Sequence, residues 1–144
     1  MKKSKSISEI MLRHHYKIDK LYHRLEKGIE QKSENLVATF DKFKWELERH
    51  FFIEEKAIFQ LHYSENEKSN KIREQLMEEH SILRRIIDRI ENDLLNNREI
   101  DLYGFRKKLL KHKEFENREF YPRLDEELDD SRKKIIIERL SNPI

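Results

Sequence analysis

His50 and Glu54 stand four residues apart in the segment His50-Phe51-Phe52-Ile53-Glu54. On a helix, this spacing places an imidazole and a carboxylate on one face, one turn apart. Leu47 and Ile53, each three residues from His50, indicate that this face is buried. Because an unpaired buried histidine and glutamate cost free energy, a partner is needed, and a metal ion suits these nitrogen and oxygen donors.

Four histidines face the predicted core, one on each of four predicted helices. Each has apolar residues three positions before and after it, and the four are His15, His50, His80 and His112. The positions halfway between successive members fall at residues 32–33, at Glu65 and at Asn96. All three lie in polar connectors, so in an up-and-down bundle the four imidazoles lie at one height.

The fourth predicted helix repeats the histidine-carboxylate spacing with His112 and Glu116. Because the second and fourth helices run parallel in such a bundle, Glu54 and Glu116 are both displaced by about 6 Å along the axis in the same direction. One divalent ion rarely uses four imidazoles and two carboxylates, whereas two bridged ions would use all six. Iron or manganese suits such a set in a bundle core, and zinc fits on ligand type. The alternative is a group of buried polar residues that satisfy one another.

Apolar residues recur at helical spacing in four long segments and one short one. These segments cover approximately residues 6–30, 34–62, 69–95, 101–122 and 131–140. Asp101 is the expected N-cap of the fourth helix, and Pro122 is expected to end it. We predict an all-α, up-down-up-down four-helix bundle with a short C-terminal helix. It forms a single domain over residues 1–144, with residues 1–5 disordered and the short helix and tail in 129–144.

The 144 residues include 31 basic and 29 acidic side chains, two glycines, two prolines and no cysteine. The charges are well mixed along the chain and give no electrostatic reason to expect nucleic-acid binding. The absence of cysteine excludes disulfides, thiolate metal sites and thiol catalysis. No apolar run reaches the length of a signal peptide or a membrane span, so we expect a soluble, cytoplasmic protein that does not bind membranes.

The order and spacing of these residues resemble a hemerythrin-like, or HHE cation-binding, domain over nearly the whole chain. The resemblance rests on His15, on residues 50–55 and 79–84, and on residues 112–117 followed by Phe120-Tyr121-Pro122. It implies a four-helix bundle with a non-haem di-iron centre that binds dioxygen or senses oxygen, iron or nitric oxide. By position, the resemblance implies that one iron is held by His15 and His50, the other by His80 and His112, and that the bridges are Glu54 and Glu116.

Two positions depart from the pattern of oxygen-carrying hemerythrins. Arg84 stands where they have a second histidine on the third helix, and Asn117 stands where they have a bridging aspartate. Glu116 lies one residue earlier, and its longer arm can replace the aspartate. Without the second histidine, both irons would have room for an exogenous ligand or water. Arg84 is expected to pair with a nearby carboxylate or to point to solvent.

Several other residues lie near these six in the predicted bundle or belong to its apolar face. Glu55, Glu79 and Asp19 are each considered as a further ligand, although an exposed position is more common for such residues. Trp45 is expected in the core or in the apolar wall of the metal site, together with the phenylalanines at positions 40, 43, 51, 52, 59, 105, 115 and 120. His23 is expected in solvent, whereas the pattern leaves the orientation of His14 and His62 open.

Three functions are compatible with this site. We expect a binding protein that takes up dioxygen or a related small ligand for storage, delivery or sensing. The alternatives are an enzyme that uses the same centre to scavenge peroxide or nitric oxide, and a metal-free structural or regulatory bundle. A ferritin-like site is not expected, because no histidine has an acidic residue three positions before it.

Overall fold

The computed structural model describes residues 6–60 and 66–141. Its long helices are α1 (Ile7–Glu30), α2 (Leu36–Glu54), α3 (Glu67–Leu95) and α4 (Tyr103–Phe115). A first π-helical turn (Glu55–Phe59) extends α2, and a second (Glu116–Phe120) extends α4. The chain then forms α5 (Tyr121–Glu127) and the short α6 (Asp130–Ser141). The described residues contain no β-strand, which confirms the predicted all-α fold.

The four long helices pack with their sequence neighbours. Helix α1 lies against α2 and α5, and α3 lies against α2 and α4. The short connections at residues 31–35 and 96–102 reverse the chain direction, as in an up-and-down bundle. Helix α6 covers α1, α2 and the first π turn. The structure therefore confirms the predicted bundle with its short C-terminal helix.

Polar side chains begin the helices. Ser6 accepts a hydrogen bond of 3.1 Å from the N–H of Glu9 at the start of α1. Asp101 accepts one of 2.9 Å from the N–H of Tyr103, but the N-cap of α4 is Leu102, one residue after the predicted Asp101. In the loops that follow α1 and α3, Lys32 and Asn97 have left-handed φ values of 50° and 53°, which allow the chain to reverse sharply.

The fourth helical segment does not end at Pro122, contrary to our prediction. Pro122 lies in the first turn of α5, and the helix continues to Glu127. The π turn before it interrupts the regular α-helical hydrogen bonds. Pro122 therefore lies at the start of a new α-helical segment. A backbone N–H at this position would have no carbonyl partner four residues before it, so proline, which lacks an N–H, loses no hydrogen bond there.

Two apolar clusters fill the bundle, one on each side of the histidine layer. The cluster nearer the loops after α1 and α3 includes Leu25, Phe40, Phe43, Ile87 and Phe105. The other cluster is completed by α6 and includes Met11, Ile58, Leu76, Phe120 and Ile136. The histidine layer is thus enclosed by close-packed hydrocarbon at both ends.

Trp45 and Phe52 lie on the surface, so their predicted place in the core was wrong. Trp45 is 61% exposed and Phe52 is 53% exposed. Each ring carries a cation over its face, Arg49 at 5.6 Å and Lys56 at 5.9 Å from the ring centroids. The other phenylalanines considered above are buried, apart from Phe115, which is partly buried.

No helix in the two described ranges is long and apolar enough to cross a membrane. Our predictions for residues 1–5, for His62 and for the chain end after residue 141 lie outside the described residues.

Candidate metal centre

The four predicted core histidines lie in one layer of the bundle, which confirms their predicted common height. All are 4% exposed or less. The ring centroids of His15 and His50 are 5.0 Å apart, and those of His80 and His112 are also 5.0 Å apart. The layer therefore contains two imidazole pairs, one from α1 and α2 and one from α3 and α4.

Glu54 is fully buried between the two histidine pairs, where α2 meets the first π turn. Its Oε1 lies 2.9 Å from Nε2 of His80, and its Oε2 lies 3.6 Å from Nε2 of His50. Because the two oxygens of one carboxylate face histidines of different pairs, Glu54 has the geometry of a bridging ligand.

Glu116 is the fully buried counterpart at the start of the second π turn. Its Oε1 lies 3.2 Å from Nε2 of His15 and 3.3 Å from Nε2 of His112. Among the described residues, neither Glu116 oxygen has a well-aligned hydrogen-bond partner, and the same holds for Nε2 of His50 and of His112. Buried polar atoms without hydrogen bonds cost free energy, and a bound cation would satisfy them.

The six predicted ligands form two donor sets. One set is His15, His50 and Glu116, and the other is Glu54, His80, His112 and Glu116. Within each set, the donor atoms lie within 4.8 Å of one another. The structure thus brings together every residue predicted for the centre, and Glu116 belongs to both sets.

Tyr121 is a buried member of the centre that we did not predict. Its hydroxyl donates a hydrogen bond of 2.5 Å to Oε2 of Glu54 and lies 3.2 Å from Nε2 of His15. On a regular α-helix, a residue five positions after Glu116 would point about 140° away from it. The wider turn of the π-helix reduces this rotation and returns Tyr121 to the centre. In the sequence, the Phe120-Tyr121-Pro122 segment supports the family resemblance and predicts a helix end, but it assigns no role to Tyr121.

A family model described as the hemerythrin HHE cation-binding domain matches residues 6–124. This range covers most of the chain and contains all six predicted ligands. The chain belongs to the hemerythrin HHE cation-binding family. The resemblance inferred from the residues is therefore confirmed, and cation binding is the function that the family description supports. Comparisons with curated proteins and with solved structures gave no significant match.

In this hemerythrin-family centre, carboxylates also contact the outer ring nitrogens of one histidine pair. Oε1 of Glu79 lies 2.6 Å from Nδ1 of His112, and Oε1 of Glu55 lies 3.6 Å from Nδ1 of His80. A carboxylate at this position fixes the orientation of a metal-binding imidazole and raises its basicity. Glu55 and Glu79 thus lie behind the histidines and outside both donor sets. Asp19, the third extra candidate, forms an ion pair with Lys113.

Arg84 holds Glu55 in this position through a bidentate ion pair. Its Nη1 donates to Oε1 at 2.9 Å and its Nη2 to Oε2 at 2.7 Å. Burial opposes the ionisation of Glu55, but His80 and Arg84 outweigh burial and lower its pKa to about 2. Of the two orientations expected for Arg84, pairing with a carboxylate is confirmed. The guanidinium lies over the ring of Phe51, with 5.4 Å to the centroid.

Arg84→Met is expected to weaken cation binding by about tenfold, because Glu55 loses the partner that holds it beside His80. Calorimetric titration of the metal-free protein with a divalent cation measures this change. Arg85→Met is the matched control, since Arg85 is the exposed neighbour in sequence, and its affinity should equal that of the wild type. Equal affinities for all three proteins would show that the Arg84–Glu55 pair does not support the centre.

In the metal-free centre, burial and neighbouring charges shift the pKa values of Glu54, Glu116 and His80. Burial and the negative charge of Glu54 raise the pKa of Glu116. Burial opposes the ionisation of Glu54 as well, but close contacts with Glu116 and His80 outweigh it and lower the pKa of Glu54. Burial opposes the protonation of His80, yet Glu54 and Glu55 raise its pKa. A cation that binds here must displace these protons.

The metal-free protein is expected to lose stability as the pH falls from about 6.5 to 3. Burial lowers the pKa of His15 to about 3 and also lowers that of His50. In the unfolded chain both titrate near pH 6.5, so within this window the unfolded state binds protons that the folded state does not. Each histidine then costs about 1.4 kcal/mol of folding free energy per pH unit. His80, whose pKa is raised, is protonated in both states throughout this window and does not change the slope there.

Urea unfolding of the metal-free protein at a series of pH values measures this loss. We expect little contribution from these two histidines above pH 6.5 and a steady fall below it. A free energy of unfolding that stays constant from about pH 6.5 to 4 would contradict the burial of neutral histidines.

A surface cavity of about 220 Å³ lies between α1 and α2 and leads to the outer side of His50. His14 lines it, with its Nδ1 3.4 Å from Nδ1 of His50. The sequence had left the orientation of His14 open, and the structure places it outside the donor sets. His23 has 72% of its side chain exposed, as predicted.

Proposed function

We propose that this hemerythrin-family protein holds two iron ions in the buried centre and binds dioxygen or a related small ligand for storage, delivery or sensing. The observation that carries the proposal is the orientation of Glu54, whose two oxygens face histidines of different pairs. A single ion would leave one of these pairs without a metal. Manganese or zinc would fit the same donor types.

The residues divide between the two ions in the manner that the family resemblance implies. His15 and His50 would hold one ion, and His80 and His112 would hold the other. The bridging ligands would be Glu54 and Glu116. When bound, iron supplies redox chemistry and coordination positions for a small ligand. The chain supplies the donors, their fixed geometry and a buried environment.

The surroundings of His80 favour a small, uncharged ligand. The ring of Phe51 stacks on His80 at 4.0 Å between centroids, and that of Phe59 lies at 5.4 Å. These rings exclude water from the α3 side of the centre, which disfavours a hydrated or charged ligand. Arg84 is held on the outer side by Glu55 and supplies no donor. The His80 and His112 pair therefore leaves the ion that it holds with room for an exogenous ligand.

Gas titration of the iron-loaded, reduced protein tests this function. We expect one dioxygen or nitric oxide molecule bound per centre, and release of that ligand when its pressure is lowered. The open position beside His80 and His112 would also serve an enzyme, so repeated turnover of peroxide or nitric oxide would favour the scavenging alternative. His50→Ala with unchanged metal content and stability would favour a metal-free bundle.

A further inference from the structure

The two histidine pairs of the centre differ in the groups that surround them. On the α3 and α4 side, carboxylates contact the outer ring nitrogens, as described for Glu55 and Glu79. On the α1 and α2 side, His14 contacts the outer ring nitrogen of His50, and the hydroxyl of Tyr121 lies among the inner donor atoms. The donors offered to the two ions are therefore unequal.

The Tyr121 hydroxyl lies where a neighbouring ligand of the same ion would lie. Two donors that bind one ion at about 2.1 Å and at right angles are about 3 Å apart. The Tyr121 oxygen is 3.2 Å from Nε2 of His15 and 2.5 Å from Oε2 of Glu54. That Glu54 oxygen is in turn 3.6 Å from Nε2 of His50. The Tyr121 oxygen thus lies at ligand-to-ligand spacing from the His15 nitrogen and from the Glu54 oxygen that faces His50.

The protein also fixes the Tyr121 ring in this place. Tyr121 is fully buried, and its ring contacts those of His15 at 5.6 Å and Phe120 at 5.9 Å between centroids. The second π turn directs the side chain inward, and Pro122 follows at once in α5. A rigid, buried oxygen donor inside a metal-binding layer does not need to move in order to coordinate an ion.

We propose that Tyr121 is a further metal ligand and that its phenolate oxygen binds the ion held by His15 and His50. This inference rests on the proposed dinuclear function. Coordination releases the hydroxyl proton to solvent when the ion binds, and no electron is transferred. The ion held by His15 and His50 then has one more protein donor than the ion held by His80 and His112, so the exogenous ligand is directed to the latter.

Optical and resonance Raman spectra of the iron(III)-loaded protein test the assignment. The wild type should show a visible phenolate-to-iron(III) charge-transfer band, and excitation in this band should enhance tyrosine ring vibrations. Tyr121→Phe should lose the band completely and still hold iron at His80 and His112. Tyr22→Phe is the matched control, because Tyr22 is also buried and donates to a glutamate, Glu26, but in the other apolar cluster. It should keep the band.

A second measurement requires no variant. Addition of gallium(III), which is redox-inert, to the metal-free wild type should give an ultraviolet difference spectrum equivalent to one tyrosinate per chain. Iron and gallium bound without any phenolate signature would overturn the role of Tyr121 and leave the proposed function intact. A band that persists in Tyr121→Phe would also overturn it. A folded protein that holds neither metal would overturn both proposals.

Discussion

Glu116→Gln is expected to reduce the iron content from about two ions to at most one per chain. Glu116 belongs to both donor sets and contacts His15 and His112 through the same oxygen. Glutamine has nearly the same shape, but its neutral amide has one oxygen and cannot neutralise two cations. Elemental analysis after anaerobic reconstitution and removal of free iron measures the change.

Glu114→Gln is the control for this substitution, because Glu114 lies two residues away on the exposed face of the same helix. It should retain about two ions. Burial and Glu54 raise the pKa of Glu116, which favours its neutral form in the metal-free protein. Glu116→Gln should therefore change the free energy of unfolding of the metal-free protein by less than about 1 kcal/mol. Two ions per chain in Glu116→Gln would exclude a bridging role.

Phe51→Ala is expected to destabilise the protein by about 3–5 kcal/mol, the usual cost of a cavity left by a deleted core phenylalanine. Phe51 is fully buried, and its ring stacks on His80 at 4.0 Å and meets His112 edge-on at 6.0 Å between centroids. Arg84 lies over the same ring. Urea unfolding of the metal-free variant measures the loss.

Phe52→Ala provides a control of the same residue type at the next position. Phe52 is 53% exposed, so its removal should cost less than about 1 kcal/mol. Phe51→Ala should also weaken cation binding, because the cavity lets the His80 imidazole turn away from Glu54. Equal stabilities for the two alanine variants would contradict the close packing of Phe51 against the histidine layer.

The bundle and its six candidate ligands could be predicted because two simple regularities agree. Apolar residues three positions away identify the inward face, so His15 and His50 were placed in the core. The loops lie halfway between successive histidines, so a common height followed from the topology. Both arguments depend only on helical periodicity and chain reversal, which short loops and long helices preserve.

The role of Tyr121 could not be predicted because it depends on a π turn. The extra residue in that turn changes the phase of the helix, so spacing rules for a regular α-helix place Tyr121 on the wrong face. The same turn explains why Pro122 does not end the helix. Trp45 and Phe52 were misplaced for another reason, since an apolar side chain need not be buried. Both have polar residues three positions before and after them, which is the pattern of an exposed position.

The partner of Arg84 also could not be chosen from the sequence alone. Its pairing with Glu55 joins α3 to the first π turn, and this contact depends on how those elements face each other. Periodicity places each residue on its own helix but does not give the distance between side chains on neighbouring helices. The structure supplies that distance and shows that Glu55 lies between Arg84 and His80.

The iron content and optical spectrum of the reconstituted protein test the dinuclear assignment most directly. The protein should be loaded with iron(II) without oxygen, freed of excess metal, and measured before and after exposure to air. We predict about two irons per chain and an iron(III) absorption that appears in air and disappears on reduction. A folded chain that retains no iron, or that retains equal iron after His50→Ala and His112→Ala, would contradict the assignment.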